Sequence, residues 1–165
     1  MSQRTLLIVF HSRTGGAEQM ARAAQAGALQ EAGVDVRLLP ATQAQVDDVL
    51  AAHGYLFACP ENLASMSGQM KEFFDRCYYP VLGQVAARPY ASLVCAGSDG
   101  TGAARQIARM ATGWRLHAVA EPLIVCTHAQ SPEAIAAPKH LSCTELAACR
   151  DLGHALAAGL ALGIF

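Results

Sequence analysis

A chain of 165 residues, 53% hydrophobic and only 15% charged, is long enough to bury a core of its own and too apolar for disorder. Twelve basic and 13 acidic residues leave a net charge of −1, which provides no basic field for nucleic acid. The apolar stretch near the end, Ala155 to Phe165, is too short to span a bilayer and reads as a core-facing helix.

The first element is the run Thr5 to Phe10. Leu6, Leu7, Ile8, Val9 and Phe10 show no polar alternation, which suits a strand buried on both faces, as in a parallel sheet. A polar turn follows, His11-Ser12-Arg13-Thr14-Gly15-Gly16. From Ala17 to Leu29, small apolar residues recur at Ala17, Met20, Ala21, Ala24 and Ala28, which is helical spacing. The turn therefore joins a buried strand to a helix N-terminus. The first N–H groups of a helix lack intrahelical partners and carry partial positive charge, so a phosphate can accept from them without any lysine. Gly15 and Gly16 let the backbone come close, and the hydroxyls of Ser12 and Thr14 add donors. Arg13 either pairs with the phosphate or faces solvent. The alternative is an ordinary N-cap by Ser12 or Thr14 with nothing bound. The turn is neither a Walker loop nor the dinucleotide Gly-x-Gly-x-x-Gly pattern.

Val34 to Leu39 reads as a second strand, closed by Pro40, with Gly33 as the helix stop before it. Asp47 to Ala52 is a weak helical turn. Tyr55 to Cys59 is a third strand stopped by Pro60, and Glu61 to Ser67 is a polar loop. Met70, Phe73, Phe74 and Cys77 then fall at the i, i+3, i+4 and i+7 positions of a helix, with the aromatics facing the core. Tyr90 to Ala96 is a fourth strand and runs into Gly97-Ser98-Asp99-Gly100-Thr101-Gly102, a second turn rich in glycine and hydroxyls. A helix from Ala103 to His117 carries Ile107, Met110, Ala111 and Trp114 on one face. Leu123 to Thr127 is a fifth strand. A loop with Pro132 and Pro138 leads to a last helix, Thr144 to Leu162.

Five alternations of strand and helix require parallel strands, right-handed crossovers and helices on both faces. The fold class expected is α/β: one domain over residues 1–165, a flavodoxin-like doubly wound five-stranded parallel sheet in the order 2-1-3-4-5. In that order a crevice opens beyond the carboxyl ends of the first and third strands. Three loops border it: His11 to Ala17, Pro60 to Ser67 and Gly97 to Gly102. One suits a phosphate. The other two suit a flat heteroaromatic ring, as flavin mononucleotide (FMN) requires.

Six cysteines, at 59, 77, 95, 126, 143 and 149, form no Cys-x-x-Cys pair and lie mostly inside apolar runs. They are expected as reduced, buried thiols of a cytoplasmic protein. Cys59 and Cys95 end neighbouring strands, which leaves open whether they face a ligand or are inert. His128 and His140, twelve apart, match no zinc spacing, so no metal site is expected. There is no Gly-x-Ser-x-Gly elbow and no Ser-His-Asp order, so no catalytic acid, base or nucleophile is assigned.

Three segments carry a resemblance: Ser12-Arg13-Thr14-Gly15-Gly16-Ala17-Glu18-Gln19-Met20-Ala21; Pro60 with Met66-Ser67-Gly68-Gln69-Met70-Lys71, Phe73 and Asp75-Arg76; and Ser98-Asp99-Gly100-Thr101-Gly102. Through them the chain resembles the flavodoxin superfamily. More narrowly, it resembles the tryptophan-repressor-binding-protein family of FMN-dependent NAD(P)H:quinone oxidoreductases. The resemblance implies that Ser12, Arg13, Thr14, Gly15, Gly16 and Ala17 hold the FMN phosphate. It implies that Pro60, Glu61, Asn62 and Leu63 border the isoalloxazine ring, and that Gly97, Ser98, Asp99, Gly100, Thr101, Gly102 and Ala103 cover its other polar edge. It further implies NAD(P)H as co-substrate and a small acceptor such as a quinone. No nucleic acid and no membrane span are expected, and a homo-oligomer is left open. The chain departs from the pattern at Ala17, where many flavodoxins carry a hydroxyl, and at Glu61-Asn62-Leu63, which replace a threonine, an arginine and an aromatic. These departures keep two alternatives alive: an electron-carrier flavodoxin, and a flavin-free binding module on the same fold.

Overall fold

The computed structural model describes residues 3–165. The strands are β1 (Arg4–Phe10), β2 (Val34–Pro40), β3 (Gly54–Asn62), β4 (Ser65–Met66), β5 (Pro89–Ala96), β6 (His117–Ala118) and β7 (Leu123–Cys126). The helices are α1 (Gly16–Ala28), α2 (Val46–Ala51), α3 (Gly68–Val81), α4 (Thr101–Gly113), α5 (Pro132–Ala136) and α6 (Cys143–Leu162). The central sheet runs β2-β1-β3-β5, with β6 and β7 both paired to β5, and all of these pairings are parallel. This is the doubly wound order expected, with its last strand in two pieces. The offset to β5 grows from 28 at Pro89↔His117 to 30 at Leu93↔Leu123, so the edge carries two extra residues between its halves. Pro122, with no N–H to donate, stands in that break.

Alternate residues of the buried strands serve the two layers. Leu6, Ile8 and Phe10 face α1 and α6, while Leu7 and Val9 join the layer of α2, α3 and α4. The second layer is aromatic. Phe57 stacks edge-on to Phe74 at 4.9 Å, and Trp114 packs edge-on to Phe73 and Phe74 at 5.8 and 5.1 Å. The first layer is built for close approach: a Cβ on Gly27 would meet the Arg150 carbonyl at 1.8 Å, and one on Gly153 the Ala24 carbonyl at 1.9 Å. Small residues thus let α1 and α6 touch backbone to backbone.

Several boundaries differ from the sequence expectation. The third strand does not stop at Pro60; it continues to Asn62 and pairs antiparallel with β4, Glu61↔Met66 and Asn62↔Ser65. The intervening turn, Leu63-Ala64, has φ 53° and 60°, a conformation usually served by Asn-Gly, so the sequence carried no hairpin signal. The helix expected to reach His117 ends at Gly113. The expected loop around Pro132 contains α5, with the Ser131 hydroxyl accepting from the Ala134 N–H and Pro132 at the first helical position. Five residues are too few to show a helical period.

The C-terminal stretch also departs from a core-facing helix over its whole length. α6 ends at Leu162, Gly163 takes the left-handed cap at φ 65°, and Leu162, Ile164 and Phe165 are exposed. Among the described residues no helix is long and apolar enough to cross a membrane. All six cysteines are free, but only Cys59, Cys77, Cys95 and Cys149 are buried; Cys126 is half-buried and Cys143 exposed.

Candidate functional site

Parallel strands end together, so the loops after β1, β3, β5 and β7 gather at one edge of the sheet. There they enclose a cleft of about 90 Å³. Its walls include Ser12, Arg13 and Thr14 from the first loop, Gly16 and Ala17 from the start of α1, Pro60, Glu61 and Asn62 from the third strand, and Cys95 and Ala96 from β5 with Gly97 just after it. Thr127, Ala129, Ile135 and Lys139 complete it. The cleft is open to solvent on one side and has room for several water molecules or a small anionic group at its floor.

The floor of the cleft is the N-terminus of α1. Gly15 is its N-cap with φ 94°, and no N-cap side chain closes the helix end. Ser12 Oγ accepts from the Gly15 N–H at 3.0 Å, which leaves the hydroxyl proton free to donate elsewhere. The Thr14 carbonyl, an acceptor that would repel an anion, is occupied by the Lys139 N–H at 2.7 Å. Gln19 holds the same region closed: its Nε2 donates to the carbonyls of Gly15 and Lys139 at 2.9 and 2.7 Å, and its Oε1 accepts from the Leu141 N–H. Lys139 in turn donates through Nζ to the Ala134 and Ile135 carbonyls at 2.9 and 2.8 Å, so its charge caps α5 on the cleft wall. Gly16 has a packing reason to be glycine, because a Cβ there would lie 2.4 Å from Cys95 Sγ. The helix dipole, the first amides and the side chains of Arg13 and Thr14 together form an anion-attracting pocket, while the three Lys139 Nζ donors are taken by the Ala134, Ile135 and Ala137 carbonyls.

The second glycine-rich turn is different. Gly100 is the N-cap of α4, also left-handed at φ 89°. Its amides are already used: Glu61 Oε1 accepts from the Gly100 N–H at 2.9 Å, and Glu61 Oε2 from the Ala103 N–H at 3.0 Å. Asp99 Oδ1 accepts from the Thr101 hydroxyl at 2.8 Å. Of the residues expected to cover the ring's polar edge, Gly97 lines the cleft, Ser98 and Asp99 are exposed beside it, and Gly100, Thr101, Gly102 and Ala103 form the closed start of α4. Gly15 shapes the first loop without lining the cleft, and Leu63 projects fully into solvent at the hairpin tip.

Cys95 sits on the cleft wall, 7% exposed, and burial pushes its thiol up to about 11; the buried Cys59 thiol is likewise pushed up to about 11. Both are protonated at neutral pH and are poor nucleophiles. His11 enters the first loop with Nδ1 2.7 Å from Ser67 Oγ; burial and then Arg13 hold its pKa below the ordinary value.

The sequence reading missed Thr127, Ala129, Ile135 and Lys139. The available signal was topological, since the segment after the last parallel strand must emerge at the same edge as the other loops.

A family model described as NADPH-dependent FMN reductase matches residues 28–130. A flavodoxin of Aquifex aeolicus is 34% identical over 107 residues, covering 64% of this chain and 56% of that one. An NAD(P)H dehydrogenase (quinone) of Acidithiobacillus ferrooxidans is 34% identical over 91 residues, covering 43% of this chain and 46% of the other. The chain thus spans about half the length of these curated relatives. Among solved structures, a flavodoxin, WrbA-like protein from Agrobacterium tumefaciens superposes with a TM-score of 0.74 at 17% identity, covering 97% of this chain and 98% of that one.

Proposed function

Because the chain belongs to the NADPH-dependent FMN reductase family, we propose that it binds FMN at this cleft and acts as an NAD(P)H-dependent oxidoreductase toward a quinone or similar small acceptor. The observation that carries the proposal is the α1 N-terminus, uncapped by its N-cap residue and facing a cleft with Arg13, Thr14 and Lys139 on its walls. A phosphate monoester fits the first amides of α1 together with the side chains of Arg13 and Thr14.

In this reading Ser12, Arg13, Thr14, Gly15, Gly16 and Ala17 hold the phosphate, and Ala17 contributes only its amide. Pro60, Asn62 and Leu63 border the ring, and Gly97, Ser98 and Asp99 approach its polar edge. Gly100, Thr101, Gly102 and Ala103 support that loop from behind, with Glu61 as their tie. FMN, when bound, would supply the redox chemistry between the nicotinamide and the acceptor. The chain's own part is to fix the phosphate, to orient the ring and to leave one ring face free for stacking. The β3–β4 turn presents Leu63 and no aromatic side chain, which suits an accessible face. A single domain over residues 1–165 and a cytoplasmic setting belong to the same proposal.

The test is anaerobic stopped-flow of the FMN-loaded protein. Bleaching of the flavin by NADPH or NADH, and its return on adding benzoquinone, is the expected result. The near-neutral balance of charge predicts only mild salt dependence. A flavin reduced by a reductase protein but by neither nicotinamide assigns the chain to electron carriage. A colourless protein that leaves FMN fluorescence unquenched removes the flavin reading altogether.

A further inference from the structure

The β3–β4 hairpin is too small to hold itself. It has two residue pairs, and both residues of its turn lie in the left-handed region, which is strained for L-residues. Its order comes from α4. Glu61 takes the N–H groups of Gly100 and Ala103 on its two carboxylate oxygens, at 2.9 and 3.0 Å. Gln106, one turn along, accepts from the Ser65 hydroxyl at 2.7 Å and the Met66 N–H at 2.8 Å. Gly102 completes the seam, since a Cβ there would lie 2.1 Å from the Ala64 carbonyl. Four hydrogen bonds and one backbone contact thus fasten a strained hairpin to the first two turns of a helix. The charge-assisted bonds of Glu61 are the stronger ones.

We propose that Glu61 is a positioning residue for the ring end of the flavin: its carboxylate locks the hairpin onto α4, so that Asn62 and Leu63 are held in one arrangement beside the cleft. This rests on the FMN reading above. It also accounts for an acidic residue next to an anionic cofactor. The negative charge is spent on two backbone amides and the positive end of the α4 dipole, and does not oppose the phosphate at α1. Glu61 also borders the cleft, but its carboxylate is turned to the α4 amides, so loss of the lock weakens riboflavin as well as FMN.

The experiment compares wild type, Glu61→Ala and Glu61→Gln by riboflavin and FMN titration, by visible circular dichroism of the bound flavin, and by amide exchange of the flavin-free proteins. Expected for Glu61→Ala is a loss of about tenfold or more for both flavins, equal within twofold, corresponding to about 1.4 kcal/mol. The flavin dichroism changes, and exchange quickens at residues 100–106 while α1 keeps its protection. Glu61→Gln recovers part of the loss, because an amide offers one oxygen where the carboxylate offers two. Acetate added to Glu61→Ala restores affinity by replacing the carboxylate. Either variant, folded as judged by far-ultraviolet dichroism, binding riboflavin as tightly as wild type with unchanged flavin dichroism overturns the proposal. A loss confined to FMN also overturns it. Wild type that binds neither flavin overturns the FMN reading and this inference together.

Discussion

Two helix starts in this molecule are written almost alike and used in opposite ways. α1 follows Ser12-Arg13-Thr14-Gly15, and α4 follows Ser98-Asp99-Gly100. Both have a left-handed glycine N-cap, with φ 94° and ψ −12° at Gly15 and φ 89° and ψ −15° at Gly100. At α4 the orphan amides are met from within the protein by Glu61, 39 residues away from Gly100 in sequence. At α1 no comparable carboxylate arrives among the described residues, and Gly16 and Ala17 line the cleft. A glycine-rich strand-to-helix turn is therefore only a potential anion site. Whether it binds a ligand or anchors another loop depends on whether an acidic side chain from elsewhere reaches it first.

The largest test of that contrast is Gly100→Ala. The left-handed φ is strained for alanine, and its Cβ would meet Ile124 Cγ2 at 2.4 Å. Strain and overpacking together predict a stability loss of about 2–5 kcal/mol, read from urea unfolding. The equivalent Gly15→Ala meets no atom nearer than Gln19 Nε2 at 3.5 Å, so strain alone predicts about 1–2 kcal/mol. Equal losses at the two positions would break the comparison.

Thr14→Ala is next. It is expected to cost FMN binding about 1.5–3 kcal/mol, the worth of a hydrogen bond to a charged group, while riboflavin affinity barely moves. Paired with Glu61→Ala, which weakens both flavins, this substitution separates the phosphate end from the ring end. Equal losses of the two flavins in Thr14→Ala would place the phosphate elsewhere.

The smallest effect is a pH dependence. Burial, then Arg13, holds the His11 pKa below its ordinary 6.5. The folded state thus favours the neutral ring. As pH falls below about 6.5 the unfolded chain takes up a proton first, so stability is lost on acidification and is complete above that value. His53 behaves in the same direction, through burial and then Arg4 and Arg88, with its Nδ1 accepting the Thr5 N–H at 3.0 Å. Urea unfolding at pH 7.5 and 5.5 is expected to show a smaller acid loss in His11→Gln than in wild type, with the remainder shared with His53. No change in the acid loss would mean that the first loop does not sense His11.

Much of the fold was legible because it rests on short-range pattern. The unbroken apolar run Leu6 to Phe10, the helical spacing of Met70, Phe73, Phe74 and Cys77, and the five strand-helix alternations lead to a parallel doubly wound sheet by sterics and burial alone. Trp114 was placed in the core by its helical spacing, and it packs there against Phe73 and Phe74. The turn Ser12 to Gly16 announced a strand-to-helix junction, and it is one.

What tertiary structure alone decided was the use of each junction. Leu63 and Ala64 have no intrinsic preference for positive φ, so the hairpin exists because α4 holds it. Thr127 and Lys139 come to the cleft across more than 100 residues of sequence, after the last strand has set the edge. In sequence Glu61 was expected only to border the isoalloxazine ring; in space its carboxylate caps a helix. Local sequence fixes which backbone amides lack partners, because that follows from helix geometry. The identity of the acceptor that reaches them depends on distances between segments remote in the chain, and only the packed fold sets those.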